Sequence, residues 1–258
     1  VTRLAALLVF WGVAFATAPV RAEQLIVALS AEEVRITSNF TGTSITVFGA
    51  IERDAATVSR AEFYDVVVSV KGPAETVVTR RKDRFVGIWL NNASRTFVNI
   101  PSFYAVNASR PLSEVTTPQI LKRFQIGSDN LVFPVSADDG AETAGPDDDF
   151  RKAFIRLKQQ DGLYRSEAYG VKFPGTEIFQ TAVQIPANVP VGRYVVTVYL
   201  FRDGAMLASD QSEIRISKMG FEQFTFDLAH NQGLIYGLIC VILAVFTGWL
   251  AGVIFRRD

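Results

Sequence analysis

The sequence predicts a mainly β protein: an immunoglobulin-like sandwich with a helical insertion, followed by one C-terminal transmembrane helix. Three observations predict it. Short β-prone runs separated by turn residues fill both ends of the segment 23–219. Helix-type patterns interrupt that rhythm between about residues 117 and 170. An uncharged apolar run, Leu234 to Phe255, is long enough to cross a bilayer core as a helix.

The early strands are short. Gln24–Ser30 and Val34–Ser38 are β-prone, and Ser44–Ala50 carries Ile45, Val47 and Phe48 between the punctuating Gly42 and Gly49. Tyr64–Val70 is dense in valine and ends at Lys71-Gly72-Pro73, a turn signal. Thr76–Arg80 is therefore expected as its hairpin partner. Ile88–Leu90 and Thr96–Ile100 are further short strands. In the middle, Thr117-Pro118 opens a helix with Pro at its first position, Ile120, Leu121 and Phe124 on its apolar side, and Gly127 as its stop. The aspartates at 147–149 precede a second helix over Phe150–Gln160, where carboxylates can cap the free backbone N–H groups. Gly162 ends it. Ile178–Ile185 resumes the strands. Tyr194–Phe201 alternates cleanly, with Tyr194, Val196, Val198 and Leu200 on one face. Asp203-Gly204 is a tight hairpin turn, and Met206–Ser217 returns from it. Tyr194, near a strand start, is a candidate tyrosine corner. Two separate β domains are the alternative to one interrupted sandwich.

The two ends of the chain set its address. Arg3, the apolar stretch Leu4–Ala18 and Val20-Arg21-Ala22 read as a signal peptide over 1–22, with cleavage expected after Ala22. A juxtamembrane linker (220–233) leads to the span (234–255). Tyr236 and Trp249 lie near the span's ends, where amphipathic rings are favoured. Arg256 and Arg257 follow, and a Lys/Arg excess marks the cytoplasmic side. The expected topology is a bacterial inner-membrane protein with a periplasmic ectodomain and a three-residue cytoplasmic tail (256–258). Within the span, Gly233, Gly237, Cys240, Ala244, Gly248, Ala251 and Gly252 fall within roughly 120° of one another on a helix, and Thr247 joins them. Small residues let helix backbones approach closely, so this stripe points to packing on another membrane helix, of a partner or of a second copy.

Composition removes many activities. The 258 residues carry 26 Lys+Arg and 26 Asp+Glu, whereas a nucleic-acid binder shows a basic excess. One Cys permits no intrachain disulfide, and one His permits no multi-His metal site. His230 lies beside the membrane with no triad partners in evidence, and Cys240 lies in the span, where a thiolate is disfavoured. The acidic segment 138–149 lacks the spacing and terminal Glu of a calcium loop. No Walker or dinucleotide-type glycine pattern occurs. The reading is non-enzymatic, with no catalytic residue, cofactor or metal. The most concentrated basic run is Arg80-Arg81-Lys82-Asp83-Arg84, followed by Trp89 and later by Phe97, Phe103, Tyr104 and Arg110. Arg and aromatic residues are favoured at contact hot spots, so Arg80, Arg81, Lys82, Arg84 and Trp89 are the candidate contacts for a small anion or a partner. The bland alternative is a hairpin end that stays wet, with Trp89 in the core.

Several stretches carry a resemblance. Ile36-Thr-Ser-Asn-Phe-Thr-Gly42, Val47-Phe-Gly-Ala-Ile-Glu-Arg53, Gly87-Ile-Trp-Leu-Asn91, Pro101-Ser-Phe-Tyr-Ala105 and Pro190-Val-Gly-Arg-Tyr194 resemble a family of alphaproteobacterial transmembrane proteins. The resemblance covers almost the whole mature chain. It implies a layout of signal, β-rich ectodomain and one C-terminal span. It also implies an association with sulfite-exporter-type permeases, and so an accessory role in handling a sulfur oxyanion. It brings no catalytic residues. The expectation is an accessory membrane protein, with a membrane-anchored anion- or ligand-binding module as the alternative and an envelope hydrolase as the remote one.

Overall fold

A computed structural model describes residues 23–37, 40–52, 63–85, 87–139, 143–218 and 228–254. The expected signal peptide, the cytoplasmic tail and most of the juxtamembrane linker lie outside the described residues.

In chain order the strands are β1 (Gln24–Leu29), β2 (Glu33–Ile36), β3 (Gly42–Glu52), β4 (Asp65–Lys71), β5 (Ala74–Phe85), β6 (Ile88–Pro101) and β7 (Tyr104–Ala108). Three helices follow: α1 (Leu112–Val115), α2 (Pro118–Phe124) and α3 (Asp149–Gln160). Then come β8 (Tyr164–Glu167), β9 (Val171–Lys172), β10 (Ile178–Pro186), β11 (Gly192–Arg202) and β12 (Ala205–Lys218), and last the apolar helix α4 (Gly233–Ile254).

The strands form a sandwich. One sheet has the order β1-β3-β10-β9 and the other β2-β12-β11-β4-β7-β8. Strands from the two ends of the sequence interleave in both sheets, which makes one interrupted sandwich rather than two β domains. The order follows the immunoglobulin variable type, with four strands on one sheet and extra strands beside the central three on the other. The first strand segment divides between the sheets, because β1 pairs with β3 while β2 pairs parallel with β12.

Two buried groups hold this arrangement. Asn107 donates to Thr181 Oγ1 (2.8 Å) and to the Ala182 carbonyl (3.1 Å), and Thr181 donates to the Gly170 carbonyl (2.8 Å). This polar chain crosses between the sheets and fixes their relative register, since a shift would strand buried amide hydrogens. Tyr194, fully buried near the start of β11, donates its hydroxyl to the Pro190 carbonyl. That is the tyrosine-corner arrangement, in the strand position where sandwiches of this type carry it. Burial of the ring pushes the phenol's pKa up, so the hydroxyl remains a donor throughout the physiological range.

Register assigns the faces. Val68 is level with Val198 on one side and Asn107 on the other, so Tyr194, Val196, Val198 and Leu200 face the opposing sheet. The other face of β11 is covered too. Thr197, Tyr199 and Phe201 are buried there, and the Phe124 ring of α2 lies 6.0 Å from that of Tyr199. The helical insertion is therefore a third layer over the six-stranded sheet. Val66, Val67, Val68 and Val70 of β4 are all buried, as expected of a strand covered on both faces.

Several expectations need correction. β5 does not pair back onto β4. Gly72 N–H donates to the Phe103 carbonyl and Ser102 N–H to the Pro73 carbonyl, so the chain runs straight through the apparent turn. Ile88–Leu90 and Thr96–Ile100 belong to one continuous strand, β6. The helix α2 ends at Phe124, three residues before Gly127, because Gln125 takes the left-handed conformation (φ 54°). The Tyr104 hydroxyl stabilises that cap by donating to the Gln125 carbonyl and accepting from Gly127 N–H. The last part of the expected helical insertion is strand: β8 extends the six-stranded sheet at its edge, and β9, just past residue 170, extends the other. Other local readings correspond: Pro118 opens α2, the Asp148 side chain caps α3 at Phe150 N and Arg151 N, and both turn residues Asp203 and Gly204 have positive φ.

Glycine is required at Gly49. A Cβ there would sit 2.1 Å from the Phe179 ring on the neighbouring strand. Gly49→Ala should cost about 1–3 kcal/mol through overpacking. Tyr194→Phe should cost about 1 kcal/mol, the worth of the corner hydrogen bond, without loss of the fold. Urea unfolding of the full chain in mild detergent, followed by near-UV circular dichroism, measures both.

Candidate functional site

The pairing of β4 with β7 and of β5 with β6 forms one ladder. Val67 is level with Ala108, Lys71 with Tyr104, Ala74 with Pro101 and Phe85 with Ile88. A single long hairpin thus contributes two strands to the sandwich and then leaves it. At its base Arg110 holds the buried carboxylate of Asp65 through both Nε and Nη2, and Ser109 adds a third bond to it.

The first part of the projecting ribbon is buttressed. The Phe97 ring stands edge-on to Phe133 (5.5 Å) and Phe154 (5.9 Å), and Phe154 meets Tyr164 in the same way. Edge-to-face pairs of this kind add to the hydrophobic burial. Lys158 of α3 reaches Glu75 (2.5 Å), Arg95 pairs with Asp148, and Asp139 accepts from Thr96 N–H. Arg151, 6% exposed, donates to the carbonyls of Leu131 (3.2 Å) and Asp129 (2.5 Å), and its guanidinium lies over the Phe133 ring. Burial pushes its pKa down from the usual arginine value. The carbonyls take the place of a counter-ion, and they tie the loop before α3 to the helix. No side-chain pattern announces this cation, because its partners are backbone.

Beyond Arg81 and Ala93 the ribbon is exposed. Strand alternation puts Arg80, Lys82 and Arg84 on one face. A bulge between Arg81 and Lys82 shifts the register so that Arg84 stands opposite Trp89. Trp89 is 66% exposed, Ile88 65% and Leu90 49%. Trp89 is therefore not a core residue. The opposite face points toward α3, where Arg81 pairs with Asp83 (3.4 Å) and lies 6.0 Å from the Phe150 ring. So Arg81 turns away from the other three cations. Among the described residues Arg80, Lys82 and Arg84 make no ion pair. Phe97, Phe103 and Tyr104 are wholly buried and Arg110 is committed to Asp65. Those four are structural, and only Trp89 of the aromatic set meets solvent.

The span residues lie on α4, where Gly233, Gly237, Cys240, Ala244, Gly248, Ala251 and Gly252 are all exposed. Leu238, Phe246 and Trp249 are exposed as well. A Cβ at Gly233, Gly237, Gly248 or Gly252 would meet nothing within 4 Å. The glycines on this helix are thus unused by any contact within the chain.

Cavities add little. A groove of about 770 Å³ between β1 and β12 is lined by Glu32, Glu33, Glu213, Arg193 and Arg215. Its charges have both signs and largely answer one another, with Arg193 at 3.5 Å from Glu213. Among the described residues no cluster of His, Cys, Asp or Glu is placed to hold a metal ion.

Comparison with known proteins places this layout. The family described as "Putative transmembrane protein (Alph_Pro_TM)" matches residues 24–257, which includes both sheets and the apolar helix. The chain belongs to this family. No curated protein matches. Among solved structures, the N-terminal domain of the Streptococcus gordonii adhesin Sgo0707 is similar at 9% identity, with a TM-score of 0.28. That likeness covers 75% of this chain but only 32% of the adhesin's. AggA, the major subunit of aggregative adherence fimbriae type I from Escherichia coli, is similar at 10% identity over 77% of this chain and 97% of its own, with a TM-score of 0.26. The fold assignment rests on strand order and not on these likenesses. Among the described residues of the Alph_Pro_TM chain one helix, over Gly233–Gly252, is long and apolar enough to cross a membrane.

Exposure of the ribbon tip has a direct consequence for stability. Trp89→Ala and Lys82→Gln should each change the unfolding free energy by less than about 0.5 kcal/mol. Arg151→Met, by stranding buried carbonyls, should cost about 2–3 kcal/mol. Paired urea titrations of the full chain check the contrast.

Proposed function

We propose that this Alph_Pro_TM protein is a non-enzymatic accessory subunit, anchored in the bacterial inner membrane with its sandwich in the periplasm. Its helix α4 packs against another integral membrane protein. One observation carries the reading: glycines at 233, 237, 248 and 252 share a helix face and serve no contact within the chain. Glycine weakens a helix relative to alanine, and its return comes only where a second backbone approaches closely. Thr247, on the same side, has its hydroxyl satisfied by the Leu243 carbonyl (2.7 Å), so it adds a small surface with no unmet polar demand. The resemblance to proteins associated with sulfite-exporter-type permeases makes a permease of that kind the first partner to examine.

An anion-binding ectodomain is the less favoured reading. Arg80, Lys82 and Arg84 lie in a row on an exposed two-stranded ribbon and line none of the described cavities. A row of cations without a concave wall suits an extended anionic surface better than a small ion.

Affinity capture from mild detergent, followed by mass spectrometry, tests the proposal. Wild-type chain should bring down a polytopic membrane protein, and Gly248→Leu/Gly252→Leu should lose at least about 90% of it, as expected when close backbone contact is blocked. Recovery of the chain alone from both samples would overturn the accessory reading.

A further inference from the structure

The ribbon and the C-terminal end of β12 leave the sandwich from the same end. β4 and β12 both run antiparallel to β11 and therefore parallel in direction to each other. Lys71, at the end of β4, is level with Val195, and Val195 is level with Glu213 of β12. Past that level the first chain segment continues into the ribbon, and the second continues to Lys218, where β12 ends. At the rise of an extended strand, Phe85 lies about 46 Å of chain beyond Lys71, and Lys218 about 17 Å beyond Glu213. The tip thus projects roughly 30 Å farther than the last residue of the sandwich. Fourteen residues separate Lys218 from Gly233; Leu228 to Asn231 are helical, so the segment reaches at most about 40 Å.

Its chemistry is that of an interfacial element. Ile88, Trp89 and Leu90 form an exposed apolar end. Arg80, Lys82 and Arg84 line one face behind it, with Arg84 opposite Trp89. The only carboxylate of the run, Asp83, is on the other face, where Arg81 and Asn92 engage it. Trp at the apolar–polar boundary, with cations reaching the headgroups, is how peripheral segments grip a bilayer. Each Lys or Arg near an anionic membrane surface contributes attraction, which salt weakens.

We infer that the tip of the β5–β6 hairpin inserts into the headgroup region of the same membrane that α4 crosses, with Trp89, Ile88 and Leu90 entering the acyl boundary and Arg80, Lys82 and Arg84 binding anionic headgroups. The occupant of this surface is lipid. The chain then touches the bilayer at two points, and the sandwich is held at a fixed height and tilt above it.

The test uses the full chain alone in lipid nanodiscs, so it does not depend on any partner of α4. In a Cys240→Ala background, Leu90→Cys is labelled with an environment-sensitive NBD fluorophore. Ser209→Cys, exposed on β12 toward the opposite end of the sandwich, is the wet control. In phosphatidylethanolamine–phosphatidylglycerol nanodiscs the Leu90 probe should emit blue-shifted light and be quenched by lipids spin-labelled near the headgroup, while the Ser209 probe is not. Arg80→Gln/Lys82→Gln/Arg84→Gln, or phosphatidylcholine alone, should reduce the quenching several-fold, and so should added salt. A Leu90 probe as wet as the Ser209 probe in anionic nanodiscs would overturn the inference and leave the tip to a protein partner. Quenching unchanged by the triple substitution would overturn the headgroup assignment. Ile88→Cys repeats the measurement at a second site, and matched unfolding midpoints confirm that each labelled chain is folded.

Discussion

The pairing of residues 65–85 with 88–108 is the constraint on which the rest of the molecule depends. It is one antiparallel ladder with two environments. Its first strands, β4 and β7, are hydrogen-bonded inside the six-stranded sheet, and buried apolar groups hold them on both faces. Its remainder lies outside both sheets of the sandwich and, among the described residues, is paired only with the short segment 134–136, through a bridge at Phe97. A two-stranded ribbon is marginal in water without such support. The sandwich supplies that support at one end, and the aromatic group of Phe97, Phe133 and Phe154 supplies it along the first turns of the ribbon. The direction of the tip is therefore set by the sandwich and not by the tip's own sequence.

The helical insertion takes its meaning from the same ladder. It lies between β7 and β8, so the chain leaves the six-stranded sheet and must return to its edge. On the way it covers the outer face of β4 and β11 and braces the underside of the ribbon. Arg151 and Tyr104 show how a small, irregular layer is made rigid. Each is a buried side chain that satisfies loop backbone groups which no helix or sheet would otherwise pair. A carboxylate partner for Arg151 would have neutralised it more fully. Carbonyls instead let one side chain join two loops, since the planar guanidinium offers several donors at fixed angles.

What was legible in the sequence follows from range. Features settled within a few residues read correctly: the alternation of Tyr194–Phe201, the Asp203-Gly204 turn, Pro118 at a helix start, and Asp148 as a cap. Tyr194 was legible as a tyrosine corner because its acceptor lies four residues away. Features settled by distant pairing did not read. Lys71-Gly72-Pro73 has turn chemistry, yet the opposing strand at 102–103 captures its backbone groups and keeps it extended. The strand Tyr104–Ala108 was missed because both its faces are buried, which removes the polar alternation that marks a strand. The basic run of the candidate site was visible as composition. Its division into Arg81 on one face and Arg80, Lys82 and Arg84 on the other was partly visible as period-two spacing. The placement of Trp89 opposite Arg84 depends on a bulge, and no local signal gives the position of a bulge.

An exposed apolar tip is normally a liability, because soluble proteins shield or charge such ends to avoid association. Here the tip is both apolar and cationic, and the chain that carries it has its own membrane anchor. A tether changes the energetics. Once α4 is in the bilayer, docking of the tip is intramolecular and proceeds at the high effective concentration that a short linker gives. Three apolar side chains and three cations, too weak to hold a free protein at a membrane, suffice under that condition.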